Sequence, residues 1–205
     1  MSKTPTNELS YKLPKDNIAQ YRYKNPEDSR LLVADTKNII KFKDLLTVTN
    51  EKSVFVLNKS KVRNVRLKTN KVDTGGKLEI FILNIISDYE CECLLNFSGK
   101  KIKDTEITTD IVNFKILDKN IDTFIISTDI KIETLIEKYG ITPLPPYIDD
   151  DPSKYNYYKA DFSSGGFSVA ASTAGLHFNK DMISKLELEN KIIKYINLDV
   201  GIGTF

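Results

Sequence analysis

The sequence has few of the residues that build metal sites and disulfide frameworks. It contains one histidine, His177, and two cysteines among 205 residues. Cys91 and Cys93 lie two positions apart in a strand-like segment, where a bridge between them would be strained. We therefore expect both to be small packing residues. We also expect no metal site, because no zinc-ligand spacing, phosphate-binding loop or paired-carboxylate motif is present.

Long apolar runs and an excess of one charge are also missing. No apolar segment approaches the ~18 residues of a membrane-spanning helix. The first ten residues are polar and lack the apolar core of a signal peptide. These absences predict a cytoplasmic protein without a membrane partner. The net charge of +2 neither indicates nor excludes a nucleic-acid partner, because a local basic patch is sufficient for binding.

The middle of the chain carries a repeated strand signal. From residue 61 to residue 129, short segments rich in β-branched and aromatic residues recur at intervals of about ten residues. The clearest are residues 77–83, 90–96, 106–112, 113–117 and 122–127. Short strands at this spacing are typical of a small antiparallel barrel or sandwich.

The flanking segments have mixed character. The apolar runs 30–35 and 53–57 predict buried strands, and residues 191–200 predict another. Apolar residues at helical spacing predict helices over 131–139 and 181–188, the second capped by Asn179. We therefore predict an α/β domain formed by residues 11–60 and 130–205, with an all-β domain inserted at residues 61–129.

One short stretch is strongly basic. Six basic residues and no acidic residue lie between positions 59 and 71: Lys59, Lys61, Arg63, Arg66, Lys68 and Lys71. Such a stretch could follow a phosphate backbone, because each phosphate contact releases counterions. It could equally be a solvated strand whose lysines prevent edge-to-edge aggregation.

His177 lies between an apolar stretch and the helix predicted after Asn179. Junctions of this kind often contact ligands in α/β proteins, and histidine exchanges protons near neutral pH. The alternative is a histidine that only hydrogen-bonds locally. The stiff run Pro143–Pro146 is either a spacer or a wall that presents Tyr147 for stacking against a base.

Two pairs of glycines are weaker indications of a ligand-binding site. Gly75 and Gly76 favour a plain hairpin turn over contact with a ligand. Gly201 and Gly203 are insufficient by themselves to define a phosphate loop.

Seven runs occur together in an order that is characteristic of one family. They are YKLPKDNIAQ from residue 11, DSRLLV from 28, VLN from 56, GGKLEI from 75, YGITPLPPYI from 139, SVAASTAGLHF from 168 and DVGIGTF from 199. Across nearly the whole chain these runs resemble the S-adenosylmethionine:tRNA ribosyltransferase-isomerase family of queuosine synthesis. The runs PLPPYI and TAGLHF are the most specific. The resemblance implies an incomplete α/β barrel-like domain that carries an inserted small antiparallel β-barrel.

The resemblance also implies a reaction. The family transfers the ribosyl portion of S-adenosylmethionine onto 7-aminomethyl-7-deazaguanine at the wobble position of a tRNA anticodon, which gives epoxyqueuosine. S-adenosylmethionine is then a substrate, the anticodon stem-loop of tRNA is the partner, and no metal is implied. A base must remove a proton beside the sulfonium, and an acid must assist the departure of adenine.

Roles for individual residues follow from their positions in these runs. His177 and Asp199 are assigned to catalysis, and Tyr147 and Phe178 to stacking. The remaining substrate-binding candidates are Arg30, Asn58, Lys61, Gly75, Gly76, Pro146, Thr173, Gly175, Gly201, Gly203 and Thr204. The residues assigned to tRNA phosphates are Lys59, Arg63, Arg66, Lys68 and Lys71, with Arg30 as a further phosphate ligand.

The chain departs from the family pattern at several motif positions. The substituted positions are Pro26, Lys59, Lys61, Asn156, Ser172 and Asp199, of which Asp199 stands where the pattern has a histidine. The family also continues well past the GTF run. Two functions therefore remain open: an enzyme, which a second polypeptide completes, or a non-catalytic remnant that binds tRNA. A missing portion should leave an exposed apolar surface.

Overall fold

The computed structural model describes residues 10–96, 103–201 and 203. Within these residues the strands are β1 Arg30–Val33, β2 Asn38–Lys41, β3 Val54–Asn58, β4 Arg66–Asn70, β5 Lys77–Ile85, β6 Glu90–Leu95, β7 Glu106–Thr108, β8 Asn113–Lys119, β9 Phe124–Thr128 and β10 Ile192–Ile196. The α-helices are α1 Ile132–Lys138 and α2 Lys180–Leu188. Segments of 3₁₀ helix include Lys15–Asn17, Pro26–Asp28, Phe42–Val48, Pro152–Tyr158 and Thr173–His177.

Six strands form one curled antiparallel sheet in the order β4-β5-β6-β9-β8-β7. Register shifts at Ile82/Asn84 and Ile116/Asp118 add local twist, which helps the sheet to curl. The two edge strands meet at one end, where Lys71 forms an antiparallel bridge with Thr109. The result is a curled half-barrel of six antiparallel strands, so the predicted β-rich middle is confirmed at this level.

Every second side chain along the strands points into the half-barrel, and these side chains fill its interior. Leu78, Ile80 and Ile82 of β5 are each 1% exposed, whereas the residues between them are half-buried. Cys91 and Cys93 are free and fully buried in the same core, which confirms their predicted packing role. Helix α1 closes this core with three buried residues: Ile132, Leu135 and Ile136.

A second core lies under a different set of elements. Strands β3 and β10 pair in parallel, and Leu57 on their inner face packs with Met182 and Leu186 of α2. Phe42 and Phe178 complete this core, with their rings 4.9 Å apart and nearly perpendicular. The hairpin of β1 and β2 packs beside it through Leu31.

The outer face of the β3–β10 pair is uncovered and mostly apolar, with Lys194 beside Val56 at its centre. Val54, Val56, Ile192 and Ile196 are each between 44% and 58% exposed. Parallel strands are normally covered on both faces, so this uncovered face is unusual.

The predicted helices are confirmed. Helix α2 begins after Asn179, whose side chain accepts a hydrogen bond from the Met182 N–H at 2.8 Å, as expected of an N-cap. Helix α1 ends immediately before the Tyr139–Gly140 turn, as the glycine predicts. At Gly140 a Cβ atom would lie 1.8 Å from the Asn64 carbonyl oxygen, so only glycine fits there.

Two strand predictions are wrong in detail. Residues 30–35 were expected to form a buried strand, but β1 alternates between exposed and half-buried because a two-stranded hairpin buries only one face. The strand expected over 106–112 ends at Thr108. There the Thr109 hydroxyl exchanges hydrogen bonds with the backbone of Val112, and this local turn replaces the ladder.

Asp110 holds the two edge strands of the half-barrel together. Its carboxylate accepts a hydrogen bond from the Thr69 hydroxyl and two from Asn70, from the backbone N–H and the side-chain amide, each at 2.9 Å. These hydrogen bonds, that of Thr69 first, lower the pKa of Asp110 to about 2, from an ordinary value of 3.8.

Asp110 should therefore make the folded state sensitive to acid. A lowered folded-state pKa gives stability that is complete above the ordinary value and is lost as the pH falls toward about 2. We expect the free energy of unfolding of wild type to fall more steeply below about pH 4 than that of Asp110→Asn, as measured by urea unfolding. Asp122→Asn, in the exposed β8–β9 turn, is the control. Equal slopes for wild type and Asp110→Asn would contradict this role.

Candidate active site

His177 lies in a cavity of about 290 Å³ that is rich in tyrosine. The 3₁₀ segment Thr173–His177 supplies the histidine, and the segment Pro152–Tyr158 supplies Tyr157 and Tyr158. The His177 ring packs against Phe42 of the second core, with 5.1 Å between ring centroids. The residues that line the cavity are Ala19, Gln20, Tyr21, Arg22, Tyr23, Pro26, Ser29, Tyr147, Tyr157, Tyr158, Thr173, Leu176 and His177.

A second cavity of about 440 Å³ adjoins the first. Tyr147 and Thr173 line both cavities, so these two side chains form the boundary between them. Pro143, Pro145 and Pro146 form one wall of the second cavity, opposite residues 170–174 and Val200. The proline run is thus a stiff wall of a two-part cleft.

The segment that covers the histidine cavity is fixed by a side-chain clamp. Gln20 donates to the Tyr147 carbonyl at 3.0 Å and accepts from the Asp149 N–H at 2.9 Å. The Lys154 ammonium, which is 1% exposed, lies 3.3 Å from the same Gln20 oxygen and 4.6 Å from the centre of the Tyr21 ring. This clamp fixes residues 20 and 21 against Tyr147 and Lys154, and both Tyr21 and Tyr147 line the cavity.

The tyrosines of the cleft are suited to stacking. Burial raises the pKa of Tyr158, and the neighbouring Tyr147 adds to this effect. The Arg22 guanidinium lies 4.7 Å from the centre of the Tyr157 ring. Neutral aromatic rings around a small cavity favour a planar ligand such as a nucleobase, since stacking on an aromatic side chain is worth about 1–3 kcal/mol per base.

Several of the predicted residues lie elsewhere. Phe178 is buried in the second core against Phe42 and Phe55, and Gly175 packs against the Phe162 ring. Asn58 uses its side chain to bond both the N–H and the carbonyl of Leu198, at 3.1 and 2.8 Å. Asn58 therefore continues the β3–β10 pairing beyond the end of the ladder.

Asp199 is also held apart from His177. Its carboxylate accepts a hydrogen bond from the Phe167 N–H at 2.8 Å. A Cβ atom at Gly166 would lie 2.6 Å from the Asp199 oxygen and 2.8 Å from the Ser60 hydroxyl. The contact with Asp199 thus requires glycine at position 166, which also has a φ of +74°.

The remaining predicted residues do not converge on the cleft. Gly75 and Gly76 form the β4–β5 hairpin turn, and Arg30 is exposed at the start of β1. Gly201 and Gly203 have open space where a Cβ atom would be. Thr204 lies outside the described residues.

Carboxylates pair with much of the predicted phosphate-binding stretch. Arg66 binds Glu79 through two hydrogen bonds of 2.8 Å and also contacts Asp150 at 3.3 Å. Lys68 pairs with Asp150, and Arg63 pairs with Glu133. The pKa of Arg66 is raised, mainly by its hydrogen bond to Glu79. The stretch from Lys59 to Lys71 contains no acidic residue, but in the folded protein these carboxylates from other segments neutralise part of its positive charge.

Sequence reasoning identified Tyr147 but missed the other tyrosines of the first cavity, Lys154, which supports the Tyr21 ring, and Lys159, which lines a separate polar cavity. Tyr21 and Tyr23 belong to the run YRY, and residues 155–158 read YNYY. Two tyrosine-rich runs beside a proline wall were a signal that could have been used. Lys154 and Lys159 had no comparable signal, because only the folded chain shows which lysines are buried.

Comparison with known proteins agrees with the motifs. A model of the queuosine biosynthesis protein family matches residues 6–205. The chain therefore belongs to this family. It is 36% identical over 208 residues to a protein of Sulfurihydrogenibium sp. (strain YO3AOP1) named S-adenosylmethionine:tRNA ribosyltransferase-isomerase, with 97% of this chain and 61% of that protein covered.

Other relatives give the same result. A protein of that name from Francisella tularensis subsp. mediasiatica is 35% identical over 98% of this chain and 61% of its own length. The chain thus spans about three fifths of the length of the curated relatives it matches. A crystal structure of an S-adenosylmethionine tRNA ribosyltransferase from Thermotoga maritima aligns with a TM-score of 0.36 and 24% identity, over 94% of this chain and 58% of that one.

The described residues contain neither a membrane-spanning helix nor a metal-binding cluster of acidic, histidine or cysteine side chains. Among residues 10–96, 103–201 and 203, no helix is both long and apolar enough to cross a bilayer. The same residues contain no group of three or more His, Cys, Asp and Glu side chains that could hold a metal ion.

The close contact at Gly166 should be measurable by comparison with its neighbour. Gly165 and Gly166 both have positive φ, of +73° and +74°, but a Cβ at Gly165 meets nothing within 4 Å. Gly165→Ala therefore measures the backbone cost alone. We expect Gly166→Ala to lower the free energy of unfolding by a further ~1–3 kcal/mol, as overpacking does. Equal losses in urea unfolding would contradict the contact with Asp199 and Ser60.

Proposed function

We propose that this chain carries out the transfer and isomerisation of the ribosyl part of S-adenosylmethionine onto 7-aminomethyl-7-deazaguanine at the tRNA wobble position, in the cytoplasm. Family membership supports the reaction class. One structural observation carries the assignment of the site: His177, Thr173 and Tyr147, which come from the two most specific motifs, line one cavity.

The two-part cleft suits a reaction with two nucleoside-like partners. The cavity at His177 is small and aromatic, and the adjoining cavity has proline and alanine walls. We place one purine-like ring on the tyrosines and the ribosyl part near Tyr147 and Thr173, where the cavities meet. The cleft is open here, since Tyr21 and Tyr147 are 61% and 57% exposed, so the bound substrates themselves would have to displace water from the reacting atoms.

The chemistry requires protons to move at defined atoms. A bond forms between the amine nitrogen of the modified base and a ribosyl carbon. Three bonds break: the bond to adenine, the ring carbon–oxygen bond at the carbon that receives the amine, and the bond from carbon to sulfur, whose electron pair neutralises the sulfonium so that methionine leaves as a thioether. The carbon released from sulfur forms a carbon–carbon bond to the carbon that carried adenine, which closes a five-membered carbocycle, and a carbon–oxygen bond to the released ring oxygen, which gives the epoxide. Protons leave the amine and the carbon beside the sulfonium, and the departing adenine takes one up. We assign His177 to one of these transfers, as a general base or acid.

The packing changes the proposed roles of two residues. Phe178 lies in the second core, so we assign stacking to Tyr147 together with Tyr21, Tyr157 and Tyr158. Asp199 lies against Gly166 and Phe167, so we propose that it positions the loop of residues 199–201, whose Val200 lines the second cavity. Asn58 has the same indirect role through Leu198.

We propose tRNA as the partner, bound through its anticodon stem-loop. Lys59 and Lys61 are the members of the basic stretch that we favour for phosphate contacts. Arg63, Arg66 and Lys68 would first have to exchange their carboxylate partners for phosphates.

A second candidate function is a tRNA-binding module that lacks the complete reaction. The uncovered apolar face of β3 and β10 favours an α/β domain that another polypeptide completes. We propose the domain boundaries at residues 11–60 with 130–205, and 61–129. The packing of α1 into the half-barrel core ties the two parts together.

Release of free adenine tests the reaction directly. The purified chain would be incubated with S-adenosylmethionine and an anticodon stem-loop that carries the aminomethyl-deazaguanine. We expect adenine only with the modified RNA, because the amine is the nucleophile. Absence of adenine, while a full-length family member works in parallel, would contradict catalysis by this chain alone and favour the binding module.

Variants of the cleft then test the roles. Removal of a general acid or base typically costs 10²–10⁴-fold in rate, so we expect His177→Ala to slow adenine release by about that factor. Tyr147→Phe keeps the ring and should retain most of the activity, whereas Tyr147→Leu should raise the KM through lost stacking. Thermal unfolding of each variant checks that the fold is intact. Unchanged turnover in His177→Ala would remove its catalytic role.

A further inference from the structure

A separate polar cavity of about 470 Å³ lies between the half-barrel and the segment of residues 159–166. Lys61, Arg63 and Asn64 form one side of it, and Lys159 faces them together with Gly165 and Gly166. Helix α1 supplies Glu133, Ile136 and Glu137 as the third side. The backbone fixes this geometry, because the Lys61 N–H donates to the Gly165 carbonyl at 2.7 Å and the Ser168 N–H to the Lys61 carbonyl at 3.1 Å.

Two like charges share this cavity. Within the described residues, neither Lys61 nor Lys159 has a carboxylate within 4 Å, whereas Arg63 is paired with Glu133. Burial, followed by the positive charge of Lys61, lowers the pKa of Lys159. An anion between the two ammonium groups would relieve this repulsion and form charge-assisted hydrogen bonds. Glu137 remains a negative charge on the helix side, so the anion would lie toward the two lysines.

We propose that Lys61 and Lys159 form a binding site for a phosphate group of an RNA strand. The proposal rests on the proposed function, since it places part of the tRNA on the protein. A carboxylate of a small substrate has the same charge chemistry. The phosphate is favoured because this cavity shares no lining residue with the two cavities that meet at Tyr147 and Thr173. A further cavity shares Arg22, Pro26 and Leu176 with the histidine cavity and Lys159 with this one. Lys61 lines neither cavity of the cleft, so a small substrate held there would leave Lys61 without an anion, whereas RNA carries phosphates well away from the reacting base.

Inorganic phosphate is the first probe, and the protein is the full chain. The pKa of Lys159 would be followed by NMR of ¹³C-labelled lysine in phosphate and in chloride at equal ionic strength. We expect phosphate to raise the pKa of Lys159. We also expect the Lys61→Gln substitution to raise this pKa in the absence of phosphate. The signal of Lys52, an exposed lysine remote in sequence, controls for screening. An equal response in phosphate and chloride would overturn the proposal.

RNA binding separates the possible sources of the anion. Each lost phosphate contact should reduce the slope of log K against log salt by about 0.7–0.9. We expect this reduction for an anticodon stem-loop with Lys61→Gln and with Lys159→Gln, and no change with Lys52→Gln. Glu137→Gln should bind the RNA more tightly, because it removes a negative charge beside the site.

Two results would overturn the inference. One is an unchanged salt slope in both lysine variants. The other is a loss of S-adenosylmethionine affinity in these variants with RNA binding intact, which would make the site one for a carboxylate. Neither outcome depends on adenine release, so failure of the proposed reaction and failure of this site remain distinguishable. Thermal unfolding of the variants excludes loss of the fold as the cause.

Discussion

Residues 59–63 contact residues 164–168 through backbone hydrogen bonds. This contact fixes how the half-barrel, the second core and the cleft are arranged. The chain passes from β3 of the second core into the half-barrel through the first segment, and backbone hydrogen bonds to the second segment fix its path. Gly166 makes the approach possible, because any side chain there would collide with Ser60 and Asp199. The same approach fixes the loop at Val200, and through it one wall of the cleft. The relative positions of the two cores, the cleft and the lysine cavity therefore depend on this one close backbone contact.

Local signals in the sequence predicted what local physics determines. The strand periodicity of the middle, the cap at Asn179 and the burial of Cys91 and Cys93 depend on neighbours within a few residues, and the structure confirms them. The tyrosine cavity combines side chains from segments near residues 20, 150 and 175, so a local pattern could mark the tyrosine-rich runs but could not show that they meet. The motifs did identify His177, Tyr147 and Thr173. They gave no means of separating these residues from Phe178, which points into a core although its neighbour His177 lines the cavity.

The distribution of charge is another property that the local sequence did not predict. The stretch from Lys59 to Lys71 has no acid in sequence, yet the fold brings Glu79, Glu133 and Asp150 against three of its members. Exposed pairs of this kind contribute little to stability, about 0–1 kcal/mol, but they remove positive potential from the surface. The positive charge that remains is concentrated where the fold places Lys61 beside Lys159. Anion binding at the proposed phosphate site would therefore depend on a pair of lysines that the tertiary structure assembles rather than on the basic run.

The parallel pair of strands β3 and β10 is covered on only one face, so its stability needs an explanation. Its inner face is covered by α2 and Phe42, and its outer face presents Val54, Val56, Ile192 and Ile196 to solvent. A two-stranded parallel sheet gains little from its own hydrogen bonds, so its stability depends on the packing of its faces. Here one face supplies that packing, and Asn58 extends the pairing with side-chain hydrogen bonds to Leu198. The cleft depends on this sheet through the loop of residues 199–201. A polypeptide that covers the outer face would thus stabilise the sheet and, through the loop of residues 199–201, the wall of the second cavity that Val200 lines.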